Sequence, residues 1–67
     1  MSLKKRSFTL SGHRTSIALE AEFWTVIDAS AARERISLAA LVAKIDATRG
    51  ARPLASALRL YALAARQ

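Results

Sequence analysis

The sequence predicts a small, mainly α-helical domain: one short strand near the N-terminus, then three helices. Three observations carry this. In "GHRTSIALE", Gly12 to Glu20, Ile17 and Leu19 alternate with Ser16 and Ala18, and Arg14 continues the polar parity. Period two with one apolar face marks a strand. From Ala21 onward the apolar residues recur at helical spacing, and two further helical stretches follow, set apart by a capping serine and by a Gly-to-Pro breaker.

Residues 1–11 read as an extended basic arm. The weak alternation of "SFTLS" also permits a hairpin from Phe8 to Leu19 through Ser11-Gly12-His13. Ser-Gly-His is not among the strong two-residue hairpin turns, so the arm is preferred. The strand itself covers residues 12–20. Left alone, it would present a row of unpaired N–H and C=O groups, and proteins do not leave such an edge bare.

The first helix is expected over residues 21–34. Phe23, Val26, Ile27, Ser30 and Ala31 share its inner face, with Trp24 at the margin and Glu22, Asp28 and Arg33 outward. Glu20 and Glu22 sit where the helix dipole favours negative charge. In "RISLAALVAKIDATRG" Ser37 is a good N-cap, and Ile36 before it can staple onto Leu41. Leu38, Leu41, Val42 and Ile45 form the apolar stripe and Gly50 is a natural stop, giving a second helix over 37–49 with its caps. Pro53 suits the first turn of a third helix over 53–66. There Leu54, Ala57, Leu58, Tyr61 and Ala65 share a face, while Leu60 and Leu63 fall outside it. This helix is therefore apolar over much of its circumference and wants covering on more than one side.

Sixty-seven residues make one domain, and chains of this size often need a disulfide, a metal or a partner subunit. There is no cysteine and a single histidine, which excludes disulfides and thiolate metal sites and leaves no metal-ligand cluster. Oligomerisation is the remaining staple. No apolar run reaches the roughly 18 residues of a membrane span. The opening "MSLKKRSF" has basic residues without the apolar stretch of a secretory signal. A cytoplasmic protein is the expectation. With one His, no Cys and no convergent carboxylate pair, no nucleophile, base and orienting group can be assembled, so an enzyme is not expected, nor a cofactor.

The net charge of +6 is unevenly placed. Residues 1–19 carry Lys4, Lys5, Arg6 and Arg14 with no acid, and residues 49–67 carry Arg49, Arg52, Arg59 and Arg66 with no acid. The middle is mildly acidic. Basic charge beside an outward-facing strand points to a polyanion partner over ordinary solvated surface.

A strand of about seven residues followed by two helices, carried by "RTSIALE", "FWTVIDASAARERISLAALVAKI" and the Ser37 cap, resembles the ribbon-helix-helix DNA-binding domains. The "RSFTLSGHRTSIALE" opening and the "LASALRLYAL" tail are similar to a small bacterial family of such domains. The resemblance implies a homodimer in which two strands, one from each chain, pair antiparallel and enter the DNA major groove. The strand would then pair with its own copy. Ile17 and Leu19, joined by Phe23, Ile27, Leu41 and Ile45, would fill the dimer core. Arg14, Ser16 and Ala18 would face the bases: Arg14 can donate a bidentate pair to guanine, Ser16 can donate or accept, and Ala18 can touch a thymine methyl. The N–H groups at the start of the second helix, around Ser37 and Leu38, would clamp a phosphate. His13 would bond a phosphate or the backbone, and Lys4, Lys5 and Arg6 would form either a solvated tail or a phosphate-tracking arm. The resemblance departs at Arg35, where related chains usually place a left-handed glycine, and at the third helix.

The leading functional expectation is a sequence-specific DNA-binding transcription regulator, a repressor acting on double-stranded DNA as a homodimer or a pair of dimers. The alternative is a dimeric protein-interaction or antitoxin-like module that docks a protein through the third helix. Membrane-surface binding through Arg52, Arg59 and Arg66 ranks last, because those arginines do not form a clean polar face.

Overall fold

The computed structural model describes residues 2–66. In chain order it contains strands β1 (Leu3–Leu10) and β2 (His13–Glu20) and helices α1 (Ala21–Glu34), α2 (Leu38–Thr48) and α3 (Leu54–Ala65). α1 keeps its expected bounds. α2 and α3 are each one residue shorter at both ends, because Ser37, Arg49, Pro53 and Arg66 serve as caps.

The departure lies at the N-terminus. Residues 3–10 of the expected 1–11 arm form β1 (Met1 lies outside the described residues), and β2 pairs with β1 of its own chain. The strand expected to wait for a second copy already has a partner. The reason is the turn. Its loop is only two residues, Ser11 and Gly12, and both have positive φ, 51° and 79°. Positive φ at both central residues is what a hairpin turn matched to the strand twist requires. Ser11 accepts an unfavourable left-handed conformation of about 1 kcal/mol, offset by the pairing of two eight-residue strands.

In that register Thr9 faces Arg14, Ser7 faces Ser16, Arg6 faces Ile17 and Lys4 faces Leu19. Directly opposed residues of an antiparallel pair share a face. One face therefore carries Phe8, Leu10, Ile17 and Leu19 into the core, and the other turns Lys5, Ser7, Thr9, Arg14, Ser16 and Ala18 outward. Beneath the sheet the core is completed by Trp24, Ile27 and Ala31 of α1, Leu41, Val42 and Ile45 of α2, and Leu58 and Ala62 of α3.

The residues expected in a dimer core thus lie in the core of one chain: Ile17, Leu19, Ile27, Leu41 and Ile45 are buried, and Phe23 is half-buried against them. Trp24, expected at the margin, is central at 2% exposed. Its indole N–H donates to the Lys4 carbonyl at 2.7 Å, so burying this large ring leaves no polar atom unpaired.

Local signals explain the helix boundaries. Ser37 accepts from the Ala40 N–H at 3.0 Å, as an N-cap should. α1 ends in a Schellman arrangement: Arg35 is left-handed (φ 59°, ψ 39°), its N–H bonds to the Ala32 carbonyl, and the Ile36 N–H reaches back to the Ala31 carbonyl. Ile36 then packs on the core. Among the described residues no helix is long and apolar enough to cross a membrane.

Candidate nucleic-acid interface

The outward face of the hairpin is the most cationic regular surface that the fold builds. β2 places Arg14 and Ser16 on it, both exposed, with half-buried Ala18 beyond them. β1 supplies Lys5, Ser7 and Thr9, all exposed. The Ser7 and Ser16 hydroxyls are hydrogen-bonded to each other across the strands at 3.0 Å. One of the pair donates to the other, so together they still offer one proton and free lone pairs outward. Glu20, at the far end, is the face's only carboxylate, and Arg59 of α3 holds it at 3.1 Å. Its own backbone N–H and the Arg59 hydrogen bond keep the Glu20 carboxyl below the ordinary glutamate value of 4.5.

The residues expected at phosphates divide. Lys5 and His13 are exposed, His13 being the first residue of β2. Lys4 is exposed on the inner parity at the hairpin's open end. Arg6 is engaged within the fold. Its guanidinium lies 4.7 Å from the Trp24 ring centroid and makes two hydrogen bonds to Asp28, at 2.9 and 3.3 Å. The cationic head is thereby desolvated over an aromatic face and paired. This is a fastening of β1 to α1, and it removes Arg6 from any solvated arm. Ser37 and half-buried Leu38 stand at the exposed start of α2, on a separate element from the ribbon. There the Ser37 side chain already takes the Ala40 N–H.

Sequence reasoning missed Ser7 and Thr9. Their alternation with Phe8 and Leu10 was the available signal, and it acquires meaning only once β1 is paired with β2. Behind the ribbon a polar network ties the helices. Tyr61 donates to the Glu34 carboxylate at 3.2 Å and so accepts from the buried Ser30 hydroxyl, while Lys44 bonds the other Glu34 oxygen at 3.0 Å. The Lys44 hydrogen bond is the largest influence holding the Glu34 carboxyl below its ordinary 4.5. No group of three or more His, Cys, Asp or Glu residues suited to a metal ion occurs among the described residues.

Comparison with curated proteins gives no match, and neither does comparison with solved structures. The profile of the ribbon-helix-helix domain does match, over residues 3–65, from the first residue of β1 to the last of α3, and the chain belongs to that family.

Proposed function

We propose that this protein is a sequence-specific DNA-binding transcription regulator that works as a homodimer and presents the outward face of its ribbon to the major groove. The ribbon-helix-helix family generally binds DNA, as dimers, in transcription regulation. The observation that carries the reading for this chain is the composition of the exposed hairpin face: Lys5 and Arg14 with Ser7, Thr9 and Ser16, and no solvated carboxylate between them. A two-stranded ribbon is one of the two elements that the major groove admits. Arg14 is suited to guanine O6 and N7, and Lys4, Lys5 and His13 to phosphates.

Selection of bound DNA from a random pool, followed by salt titration of the winners, tests this. On the best site Arg14→Ala should weaken binding by about 1–3 kcal/mol and relax preference at particular base pairs. Neutralising Lys5 as Lys5→Gln should weaken all sequences alike and make the salt slope shallower by about one. Equal weakening of specific and random DNA by Arg14→Ala would reduce the ribbon to an electrostatic surface.

The second reading, a module that docks a protein through α3, has its own observation. Leu60 and Leu63 are 46% and 48% exposed on that helix. It gains ground if no DNA sequence is enriched.

A further inference from the structure

We propose that each chain carries a complete reading ribbon of its own, with Ser7 and Thr9 of β1 contacting bases beside Arg14 and Ser16 of β2, so that the DNA under each ribbon has no internal dyad. The inference rests on the DNA-binding reading above and asks which strands do the reading.

The pairing comes first. A ribbon assembled from two copies of one strand is two-fold symmetric, and both of its strands offer the same side chains. The hairpin is not. One strand offers Lys5, Ser7 and Thr9, and the other Arg14, Ser16 and Ala18, with Thr9 opposite Arg14, Ser7 opposite Ser16 and Lys5 opposite Ala18. Thr9 and Arg14 are nearest neighbours beside the turn, so a base edge within reach of one is within reach of the other. The Ser7–Ser16 hydroxyl pair, 3.0 Å apart, is a single polar centre built from both strands. A base that meets Ser16 there meets Ser7 as well.

The second argument is that β1 is bound into the fold and is not available to be displaced by another molecule's strand. Phe8 and Leu10 are buried, at 8% and 7% exposed. The Phe8 ring centroid lies 6.1 Å from that of Trp24, and the Trp24 indole N–H is satisfied only by the Lys4 carbonyl. Arg6 bridges β1 to Asp28. Peeling β1 away would expose two large apolar side chains, leave a buried indole N–H unpaired and break an ion pair. Exchange with a second copy of β2 would restore none of these contacts.

The third is charge and width. The face has Lys5 and Arg14 at diagonal corners and hydroxyls between them, complementary to a groove lined by phosphates with polar base edges at its floor. Two strands about 4.8 Å apart fill that groove. The hairpin supplies both without a second chain, and a homodimer would then bring two such ribbons to separate positions on the DNA.

The test is selection from a random DNA pool with the full chain, repeated with Arg14→Ala and with the double substitution Ser7→Ala/Thr9→Ala. Both β1 residues are exposed, and circular dichroism checks that each variant keeps its fold. The expected wild-type result is an asymmetric element, single or repeated in inverted orientation at a distance. Ser7→Ala/Thr9→Ala should lose about fivefold or more on that element, at base pairs other than those relaxed by Arg14→Ala alone. An element with a dyad at its own centre, both halves of which respond to Arg14→Ala while Ser7→Ala/Thr9→Ala changes nothing, would overturn the inference. It would show that two copies of β2 form the ribbon, and the DNA-binding reading would stand. Absence of any enriched element for the wild type would overturn both.

Discussion

Arg35 closes α1 in the left-handed region, at φ 59° and ψ 39°. A residue with a Cβ meets its following carbonyl there, at about 1 kcal/mol, and glycine does not. The Schellman hydrogen bonds hold Arg35 in place through its backbone N–H and that of Ile36, and the side chain is exposed. Arg35→Gly should therefore be neutral or stabilising by up to about 1 kcal/mol, read as an unchanged or raised midpoint in urea. A lowered midpoint would show that the guanidinium makes a contact of its own. Trp24 and Arg6 show the same dependence on partners at the level of single side chains. A tryptophan reads as core from its type, but only the Lys4 carbonyl at 2.7 Å explains how its N–H is buried. A lone arginine in a basic run reads as solvated, until an aspartate 22 residues away proves to be its partner.

At the scale of elements, the helices were legible because each signal is local. Ser37 caps through a residue three positions on, Gly50 and Pro53 interrupt, and Leu41, Val42 and Ile45 repeat at helical spacing. The hairpin was not. Its inner parity in β1 alternates through Lys4 and Arg6 before reaching Phe8 and Leu10, so the apolar face is half hidden behind cations whose stems and partners come from α1. Its turn is Ser-Gly rather than the stronger Asn-Gly, and counting His13 into the loop hides the two-residue geometry. The outward parity of Arg14, Ser16 and Ala18 could be read from β2 alone, whereas their neighbours Ser7 and Thr9 could not. The turn yields a pair of opposite predictions. Gly12→Ala puts a Cβ at φ 79° with nothing within 4 Å of it, so it should destabilise by about 1 kcal/mol through backbone conformation alone. Ser11→Asn should raise the melting temperature by converting the turn to Asn-Gly. A melt that ignores both changes would mean that the hairpin contributes little to the folded state.

For the whole molecule, the acids work inside and the cations are left for the surface. Of five carboxylates, Glu20, Asp28, Glu34 and Asp46 are in ion pairs, with Arg59, Arg6, Lys44 and Arg49. Lys5 and Arg14 of the ribbon are in none among the described residues. Two of these pairs fasten α3: Arg59 reaches Glu20 at the junction of β2 and α1, and Tyr61 joins Lys44 on Glu34. α3 also buries Leu58 and Ala62 completely, so loosening it opens the core. Both carboxyls titrate below the ordinary 4.5 in the folded chain, Glu20 chiefly through its backbone N–H and Arg59, Glu34 chiefly through Lys44. A carboxyl depressed by folding contributes stability that is fully present above its unfolded pKa and is lost as pH falls through the folded one. The melting temperature should thus be nearly flat from pH 7 to about 5 and fall below about 4.5, where the unfolded chain begins to take up protons first. Protonation also adds to a net charge already at +6 and strengthens repulsion among the exposed cations. That general effect acts on any variant, so the specific one needs a substitution. Glu34→Gln keeps the shape and cannot titrate. It should melt lower than the wild type at pH 7 and lose less on going to pH 3, so that the two curves converge in acid. Parallel curves would mean that Glu34 is effectively solvated and that α3 is held by Leu58 and Ala62 alone.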